Sequence, residues 1–470
     1  MNPKTSVITE AQKNEQRAYC DAIRAYWLGR GRTPKAYVDT YGCQQNEADS
    51  ERIRGILRLC GYEIVESEEG ADVVVIDTCA VREHAQTRVY GNVGALVHTK
   101  NRHPEQKILV CGCMMGQTHV VERIKNSYRH VDGGFNPHHL WQLPQLLGRL
   151  LTEKKRVFLT DDEAGNIVEG IPSVRQNALK AWVSIMYGCN NFCSYCIVPY
   201  VRGRERSRKK DDILAEVRAL IANGYRDLTL LGQNVNSYGK DLPDGVDFAD
   251  LLAEIAELDG DFVIRFMTSH PKDASEKLFD TMAKYPKIAH QLHLPFQSGS
   301  DRILTAMNRH YNREQYLQKL AYAREKMPDL VVTSDVIVGF PGETAADFED
   351  TLSLVEQVRY DALFTFIFSP REGTPAAKME DPTPKEEKNA RFDRLVALQN
   401  RISEEKHRGY IGKTVRVLVD GTDGDMLTGR TDGGRLCRFA GSQDCIGQFL
   451  NLTITDCTTW SLVGEIVKEG

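Results

Sequence analysis

A chain of 470 residues is long enough for about two to four domains. Its 41% hydrophobic and 27% charged residues are ordinary for a globular protein, and its apolar runs fall short of the roughly 20 residues that span a bilayer. The net charge of −5 excludes a global basic signature for nucleic acid, so an RNA contact has to come from a local patch. The first 34 residues lack the apolar core of a secretory signal, and we expect a cytoplasmic monomer without membrane contact.

Three strand–helix units follow, and a cysteine stands just past each predicted strand. The strands and their cysteines are Ala36–Thr40 with Cys43, Ala71–Thr78 with Cys79, and Lys107–Cys111 with Cys113. Strand–helix alternation predicts a parallel sheet, and ligands of such sheets bind outside the carboxyl ends of the strands. The three thiols are therefore expected to converge as a three-cysteine cluster site, one ligand short of the usual four. The alternative is that they are small buried hydrophobic residues, a common fate of free cysteine.

Cys111 competes with Cys113 for the third position of this set. Cys111 still lies in the apolar strand, whereas Gly112 turns the chain out of it, so the sequence favours Cys113. Cys20 and Cys60 are interpreted as incidental.

The run Cys189-x-x-x-Cys193-x-x-Cys196 is the most informative motif in the chain. Three thiolates at this spacing can hold three irons of a four-iron, four-sulfur cluster, which normally takes four cysteines. No cysteine occurs between Cys196 and Cys437, so no fourth ligand follows locally. An open coordination position is what a catalytic metal needs and a structural metal avoids. A zinc site would more often show two Cys-x-x-Cys pairs, and a disulfide knot is not expected in a chain of this size and type.

Six strand–helix units between Ala181 and Pro370 predict a partial (β/α)6 barrel around this motif. The predicted strands are Ala181–Met186, Asp227–Leu231, Val263–Thr268, Gln291–Leu294, Val332–Val338 and Phe364–Phe368. Functional residues of such folds sit at the carboxyl ends of the strands. The candidate segments there are Gly232-Gln233-Asn234, Thr268-Ser269-His270, Pro295 to Ser300, and Gly339 to Glu343. A tight turn or a helix cap is the alternative explanation for the last two.

A basic run directly follows the last cysteine of the motif and is a candidate RNA contact. Its arginines are Arg202, Arg204, Arg206 and Arg208. Arginine and lysine make most phosphate contacts in protein complexes with nucleic acids. The alternative is a solvated loop before the next helix.

The pattern changes from Gly412 to short strands with Gly and Asp turns. The predicted strands are Thr414–Val419, Met426–Arg430, Cys437–Phe439, Phe449–Ile454 and Leu462–Val467. Five such strands predict a small antiparallel β-barrel. From His407 to Gly470, seven basic residues stand against eight acidic ones, so RNA binding by this barrel would need a local patch.

Eight segments of the chain match one known family. They are Thr40–Asn46, Asp77–Arg82, Gly112–Met114, Cys189–Cys196, Arg202–Arg208, Leu231–Tyr238, His293–Asp301 and Ser369–Ala377. On these motifs the chain resembles, from about Lys35 to Gly470, the radical S-adenosylmethionine (SAM) methylthiotransferases. Within that family it is most similar to the tRNA-modifying branch, the 2-methylthio-N6-dimethylallyladenosine synthases.

The resemblance implies an α/β chain with an N-terminal parallel α/β sheet domain, a central partial (β/α)6 radical-SAM barrel and a C-terminal TRAM β-barrel. The expected boundaries are an N-terminal extension at 1–34, the methylthiotransferase N-terminal domain with an auxiliary cluster at 35–150, a linker at 151–174, the radical-SAM core at 175–405 and the RNA-binding TRAM domain at 406–470.

The resemblance also implies two [4Fe-4S] clusters, each with three cysteine ligands, and two molecules of SAM per turnover. It carries Cys43, Cys79 and Cys113 to the auxiliary cluster, and the catalytic set Cys189, Cys193 and Cys196 to the cluster that binds SAM. Tyr195 matches an aromatic position near the adenine of SAM. Gln233 falls where many radical-SAM enzymes place a carboxylate that holds the SAM amino group, and an amide is a weaker partner for an ammonium. Ser298 and Gly339 match cofactor contacts by position.

The implied activity is transfer of a methylthio group to C2 of N6-dimethylallyladenosine next to the anticodon, at position 37 of tRNA. In the family's chemistry a SAM-derived 5′-deoxyadenosyl radical removes hydrogen from C2, and sulfur is delivered at the auxiliary cluster. The implied partners are the tRNA anticodon stem-loop and a flavodoxin or ferredoxin-like electron donor, and the sulfur donor is left open. The nearest alternative is a methylthiotransferase that acts on a ribosomal-protein aspartate, and a more distant one is a non-catalytic iron–sulfur RNA-binding protein.

Overall fold

A computed structural model describes residues 8–81, 83–153, 155–161 and 165–467, without the side chains of 83–85. The chain forms two compact units. The first unit comprises Met1–Gln176, Met186–Asn190 and Cys196–Arg208, and the second comprises Asn177–Ile185, Asn191–Tyr195 and Lys209–Gly470. None of the helices in the described ranges is long and apolar enough to cross a membrane.

The helices are α1 (Glu10–Leu28), α2 (Gln44–Leu59), α3 (Glu83–Arg102), α4 (Thr118–Ser127), α5 (Leu143–Thr152), α6 (Val198–Val201), α7 (Lys210–Ala222), α8 (Phe248–Ala256), α9 (Glu276–Lys284), α10 (Asp301–Ala306), α11 (Arg313–Lys326), α12 (Ala345–Val358) and α13 (Lys385–Arg408). The strands are β1 (Lys35–Thr40), β2 (Glu63–Ile64), β3 (Val73–Thr78), β4 (Lys107–Gly112), β5 (Gly133–Phe135), β6 (Val157–Leu159), β7 (Lys180–Ser184), β8 (Met186–Tyr187), β9 (Arg206–Ser207), β10 (Asp227–Leu231), β11 (Val263–Phe266), β12 (Gln291–His293), β13 (Val331–Val338), β14 (Ala362–Ile367), β15 (Thr414–Asp423), β16 (Met426–Thr431), β17 (Leu436–Phe439), β18 (Phe449–Cys457) and β19 (Leu462–Ile466). Each strand predicted from the sequence has a counterpart here. Arg82, predicted near the start of α3, lies outside the described residues.

The first unit is built on a six-stranded parallel sheet with the order β2-β1-β3-β4-β5-β6. Helices cover both faces, as the buried strand β3 shows. Val73 and Val75 pack into a core with α1, α2 and α5, whereas Val74 and Ile76 pack into a second core with α3 and α4. A parallel sheet buried on both faces explains why β3 is a continuous apolar run rather than an alternating one.

The second unit contains six parallel strands in two three-stranded sheets, ordered β11-β10-β7 and β12-β13-β14. A single parallel bridge between Ile264 and Ile288 joins the two sheets, so the strands follow one another as in the predicted partial (β/α)6 barrel. Local sequence sets the starts of its helices. Capping boxes at Asp247, Asn312 and Thr344 begin α8, α11 and α12.

The last five strands form a closed barrel with the order β15-β16-β17-β19-β18. Four pairings are antiparallel, as predicted, and β17 pairs with β19 in parallel. The parallel pair is a correction to the predicted all-antiparallel barrel, and its reason is geometric. Strands that alternate in direction can close an odd-numbered barrel only through one parallel pair.

Buried polar contacts attach this barrel to the rest of the second unit. Arg265 donates to the backbone oxygens of Asp432, at 2.7 Å, and Thr431, at 3.0 Å. A buried ion pair joins Arg435 of the barrel to Asp361 at the start of β14. Because these groups are shielded from water, the barrel has a defined orientation on the core of its own unit.

Candidate active site

Cys43, Cys79 and Cys113 meet at the carboxyl ends of β1, β3 and β4 in the first unit. A Cβ atom added to Gly42 would lie 2.8 Å from Cβ of Cys79, so the first two loops are in contact. Burial, reinforced by the nearby thiols of Cys79 and Cys43, raises the pKa of Cys113 to about 12. The convergence expected from the topology is therefore present. Within the described ranges no three His, Cys, Asp or Glu side chains could hold one metal ion, but a four-iron cluster binds each cysteine through a different iron.

Gly112, the last residue of β4, separates Cys111 in the strand from Cys113 just after it. Its φ of +90° lies in the left-handed region that favours glycine, and a Cβ there would lie 2.2 Å from Oδ1 of Asp77. Cys111, before the glycine, packs into the core with α1, α2 and α5. Cys113, after it, lies in the opposite core, on the side of α3 and α4. This placement supports the assignment of Cys113 rather than Cys111 to the three-cysteine set.

A buried arginine contacts this set of cysteines. Nε of Arg202 donates to Sγ of Cys113 at 3.1 Å, and Nη2 donates to Oδ2 of Asp49 at 2.9 Å. A guanidinium beside a sulfur favours the thiolate, so Arg202 opposes the rise that burial causes in the pKa of Cys113. The carboxylate of Asp49 compensates the buried cation.

Asp77 supports the loops of the same cysteines from β3. It accepts from Nδ2 of Asn46 and from Oγ of Ser50, both at 3.1 Å. Burial, followed by the nearby charge of Asp49, raises the pKa of Asp77 to about 7. Asn46 also accepts from Sγ of Cys43 at 3.4 Å, so one amide connects the cysteine loop to the buried carboxyl group.

The basic run after Cys196 is mostly inside the first unit. Arg202, Arg206 and Arg208 are only 4%, 7% and 3% exposed, and Arg204 is the exposed member. Arg208 forms a bidentate pair with Glu169, at 2.6 and 2.7 Å. The guanidinium groups of Arg202, Arg206 and Arg208 thus have contacts within the fold. The RNA contact expected of the run stays a prediction, and Arg204 is the side chain that reaches solvent.

In the second unit Arg309 occupies a position comparable to that of Arg202. Its side chain is buried, and Nη1 donates to Sγ of Cys193 at 3.3 Å and to Oη of Tyr195 at 3.4 Å. Nη2 donates to the backbone oxygen of Pro295 at 2.7 Å. In the described part of the chain its hydrogen-bond partners are a thiol, phenols and a carbonyl, and none is a carboxylate. A buried cation without a fixed counter-charge fits a site that takes a negatively charged, thiolate-ligated cluster.

The remaining cofactor candidates lie at the carboxyl ends of β10, β12 and β13. Gln233 follows β10 and is half-buried. Ser298 is buried, and its Oγ accepts from the backbone N–H of Ser300 at 3.3 Å. Gly339 has a φ of +70°, and its N–H donates to Oε2 of Glu343 at 2.8 Å. Their roles toward SAM stay predictions.

A further group of polar side chains at the ends of β10 and β11 has unused hydrogen-bonding atoms. In the described structure the buried atoms without a partner include Oδ1 of Asn234, both amide atoms of Asn236, Oγ of Ser269 and Nε2 of His270. Native proteins rarely leave such atoms unsatisfied without a functional reason. The sequence analysis placed these segments at the rim but could not distinguish them from ordinary loop residues.

His270 is held as a neutral donor in this group. Its Nδ1 accepts from the backbone N–H of Lys272 at 3.2 Å, which assigns the ring proton to Nε2. Burial, then the charge of Arg309, holds the pKa of His270 far below its usual range. The ring is therefore held neutral, with its Nε2–H available to an acceptor.

Strained backbone is concentrated at the same end of the strands. The non-glycine residues with positive φ include Phe192, Thr268, Gln297, Asn308 and His310, with φ between 47° and 70°. Thr268 is the clearest case of strain, because a β-branched residue rarely adopts a positive φ. Strain of this kind persists where the surrounding structure imposes it, and it clusters at functional sites.

Three family models match the chain over separate ranges. The radical SAM superfamily model matches 183–355, the model described as uncharacterized protein family UPF0004 matches 35–135, and the TRAM domain model matches 408–467. The second range contains Cys43, Cys79 and Cys113, and the first contains Cys189, Cys193 and Cys196. Residues 183–355 therefore match a radical SAM superfamily domain, and this superfamily uses a [4Fe-4S] cluster and SAM.

Full-length relatives decide the family. The tRNA-2-methylthio-N(6)-dimethylallyladenosine synthase of Alkaliphilus oremlandii (strain OhILAs) is 48% identical over 474 residues, covering 100% of each chain. The synthase of the same name from Acetivibrio thermocellus is 50% identical over 434 residues, covering 92% of this chain and 90% of the relative. The chain belongs to this synthase family. As a member of the synthase family it is an enzyme.

A solved structure supports the fold. The radical S-adenosylmethionine methyltransferase TsrM from Kitasatospora setae, with cobalamin and a [4Fe-4S] cluster bound, superposes with a TM-score of 0.55. The match covers 74% of this chain and 77% of that one at 13% identity, so the likeness concerns the fold alone.

Proposed function

We propose that the chain is a radical-SAM methylthiotransferase that adds a methylthio group to C2 of N6-dimethylallyladenosine at position 37 of tRNA. Relatives named for this product match 100% and 92% of the chain. The observation that carries the proposal is the convergence of Cys43, Cys79 and Cys113 in the range 35–135, outside the range 183–355 that contains the radical-SAM motif. A radical-SAM motif alone accounts for radical formation, whereas a second thiol set accounts for the insertion of sulfur.

The proposal includes two iron–sulfur clusters, each with three cysteine ligands. We assign Cys43, Cys79 and Cys113 to an auxiliary cluster, and Cys189, Cys193 and Cys196 to the cluster that binds SAM. When bound, the clusters supply the electron that cleaves SAM and the site from which sulfur is delivered. A second SAM is the methyl donor in this scheme.

The protein contributes buried positive charges beside the cysteine sulfurs and excludes water from them. Arg202 and Arg309 each donate to one sulfur of a cysteine set, at 3.1 and 3.3 Å, and both are buried. Each guanidinium stabilises a thiolate in a place where water is excluded, so its interaction is strong. The unpartnered donors and acceptors of Asn236 and His270 then provide positions that can orient a polar ring at the strand ends.

Several parts of the scheme remain proposals. We expect the tRNA anticodon stem-loop as the bound segment, a flavodoxin or ferredoxin-like protein as the electron donor, a monomeric enzyme and a cytoplasmic location. We also propose the domain boundaries 1–34, 35–150, 151–174, 175–405 and 406–470. Arg204 is the candidate of the basic run for an RNA phosphate.

Mass spectrometry of tRNA nucleosides from a deletion strain tests the substrate. We expect the 2-methylthio form to disappear, with N6-dimethylallyladenosine accumulating in its place, and a plasmid copy of the gene to restore it. Unchanged 2-methylthio nucleosides, together with loss of a methylthio group from a ribosomal-protein aspartate, would support the alternative methylthiotransferase and contradict the proposal.

Cys111 in β4 and Cys113 just after it offer a matched test of the auxiliary cluster. Cys113→Ser should lower the iron content of the anaerobically reconstituted protein from about eight to about four atoms per chain, because one four-iron cluster is lost. Cys111→Ser, in the opposite core, should retain about eight. Equal iron content in the two variants would remove the assignment of Cys113.

A further inference from the structure

Two buried cysteines of the first unit lie side by side although they are 40 positions apart in the chain. Sγ of Cys60 donates to Sγ of Cys20 at 3.2 Å. Cys20 lies in the middle of α1, and Cys60 is the C-cap residue of α2. Both are free thiols, and the two residues are 6% and 0% exposed. A sulfur–sulfur bond is about 2.05 Å long, so a movement of roughly 1 Å separates this contact from a disulfide.

Contacts on both sides of Cys20 fix its position along α1. The buried residues of this helix form a stripe at helical spacing: Gln16, Cys20, Ile23 and Trp27. Before Cys20, Oε1 of Gln16 accepts from the backbone N–H of Gln145 at 3.2 Å. After it, Nε1 of Trp27 donates to Oη of Tyr62 at 3.1 Å. The two thiols are therefore held together before any reaction, which favours bond formation between them.

The two thiols differ in reactivity. The hydrogen bond from Cys60 outweighs burial and, together with the charge of Arg24, lowers the pKa of Cys20. The same hydrogen bond and burial raise the pKa of Cys60. Arg24 lies over this junction, where its Nη1 donates to the backbone oxygen of Leu59 at 3.3 Å. Cys20 is therefore suited to attack as the thiolate, and Cys60 to react second as the thiol.

We propose that Cys20 and Cys60 are a redox-responsive pair that forms a disulfide on exposure to hydrogen peroxide. The thiolate of Cys20 attacks one peroxide oxygen and becomes a sulfenic acid, while the other oxygen takes up a proton and leaves as water. The thiol of Cys60 then attacks the sulfenic sulfur and gives up its proton, and a second water leaves. Two thiols thus lose two electrons and two protons to one peroxide. A dithiol reductant reverses the reaction by exchange.

The bond acts on α2, the helix that begins next to Cys43. Cys43 is the N-cap residue of α2, at the opposite end from Cys60. A disulfide between Cys20 and Cys60 closes a loop that restricts the unfolded chain and so stabilises the folded one. It therefore keeps α1 attached to α2 during oxidation, when a cluster on Cys43 meets the same oxidant. Only this last point rests on the proposed function, and formation of the disulfide does not.

Peptide mass mapping of the full-length, cluster-loaded protein tests the bond. After hydrogen peroxide and alkylation of the remaining thiols, we expect linked peptides that contain Cys20 and Cys60, lighter by two hydrogens than the two reduced peptides together. Dithiothreitol should return both as thiols. In Cys60→Ser, Cys20 should be recovered as a sulfenic acid. Cys111→Ser is the matched control and should leave the linked pair unchanged, because Cys111 is a free thiol in the same core.

Limited proteolysis measures the effect of the bond on α1. Arg24 is an exposed trypsin site in this helix, and cleavage there needs local unfolding. We expect trypsin to cut the oxidised protein at Arg24 at least about tenfold more slowly than the reduced protein, because the closed loop restricts this opening. Cys20→Ser and Cys60→Ser should be cut at the same rate before and after peroxide, and circular dichroism checks that both variants fold.

Each measurement has a result that overturns one step. Peroxide-treated protein in which both cysteines are recovered as thiols, or in which Cys20 is oxidised without being linked to Cys60, rules out the disulfide. A linked pair with an unchanged rate of cleavage at Arg24 rules out the attachment of α1 to α2. Failure of the proposed function would show in the tRNA nucleosides, and neither measurement on the thiol pair depends on that activity.

Discussion

Arg309 is a buried cation whose stability contribution should change sign with cluster loading. In the cluster-free protein, Arg309→Met removes a desolvation cost of several kcal/mol and loses one charged hydrogen bond worth about 1.5–3 kcal/mol. The backbone oxygen of Pro295 still accepts a hydrogen bond from Oη of Tyr311 at 3.4 Å, so this acceptor keeps a donor. We therefore expect the free energy of unfolding to rise by about 1–3 kcal/mol.

In the cluster-loaded protein the same substitution should be destabilising. A unit positive charge about 4 Å from a thiolate contributes about 4 kcal/mol at an effective dielectric constant of 20. Loss of that attraction outweighs the desolvation gain, and the free energy of unfolding should fall by about 1–3 kcal/mol.

Urea unfolding of both forms under anaerobic conditions measures the two changes. Arg218→Met, on the exposed face of α7, is the control and should leave both midpoints unchanged. A shift of the same sign in the cluster-free and cluster-loaded protein would refute the view that the cluster supplies the counter-charge of Arg309.

Three further predictions concern stability and cluster assembly. Asp361→Asn should lower the free energy of unfolding by about 3–5 kcal/mol, because Arg435 loses its buried carboxylate, and adding Arg435→Met should recover most of it in urea titrations. Gly112→Ala should reduce the iron content from about eight to about four atoms per chain, because the added Cβ would lie 2.2 Å from Oδ1 of Asp77. Gly91→Ala is the control and should retain about eight, because no atom lies within 4 Å of a Cβ added there. The pKa of His270 is lowered in the folded state. Below about pH 6.5 the unfolded chain therefore binds a proton that the folded chain does not. The free energy of unfolding should fall as the pH falls, by up to about 1.4 kcal/mol per pH unit. His270→Phe should flatten this slope by that amount between pH 5 and 6.5, and an unchanged slope would show that His270 is charged in the folded state.

The strands and their loop positions follow from local sequence. The apolar run of β3, the glycine after Cys111 and the capping boxes act over a few residues, and the corresponding elements formed where they were expected. The convergence of Cys43, Cys79 and Cys113 follows from topology, because parallel strands end at one edge of a sheet.

The burial of the arginines could not be predicted in the same way. Arg202 is separated from Asp49 by 153 positions, and Arg309 from Cys193 by 116. A charge run has the same local pattern whether it is solvated or has acceptors elsewhere in the chain. Arg309 follows no motif at all, and only the folded chain brings it to a cysteine.

The attachment of the C-terminal barrel within the second unit has a consequence for substrate choice. Contacts of Arg265 with Thr431 and Asp432, and the pair of Arg435 with Asp361, hold the barrel in one register against the parallel strands. If the barrel binds RNA as proposed, the bound segment lies at a constant distance from the strand ends of the second unit, so the attachment limits which nucleotide can reach them.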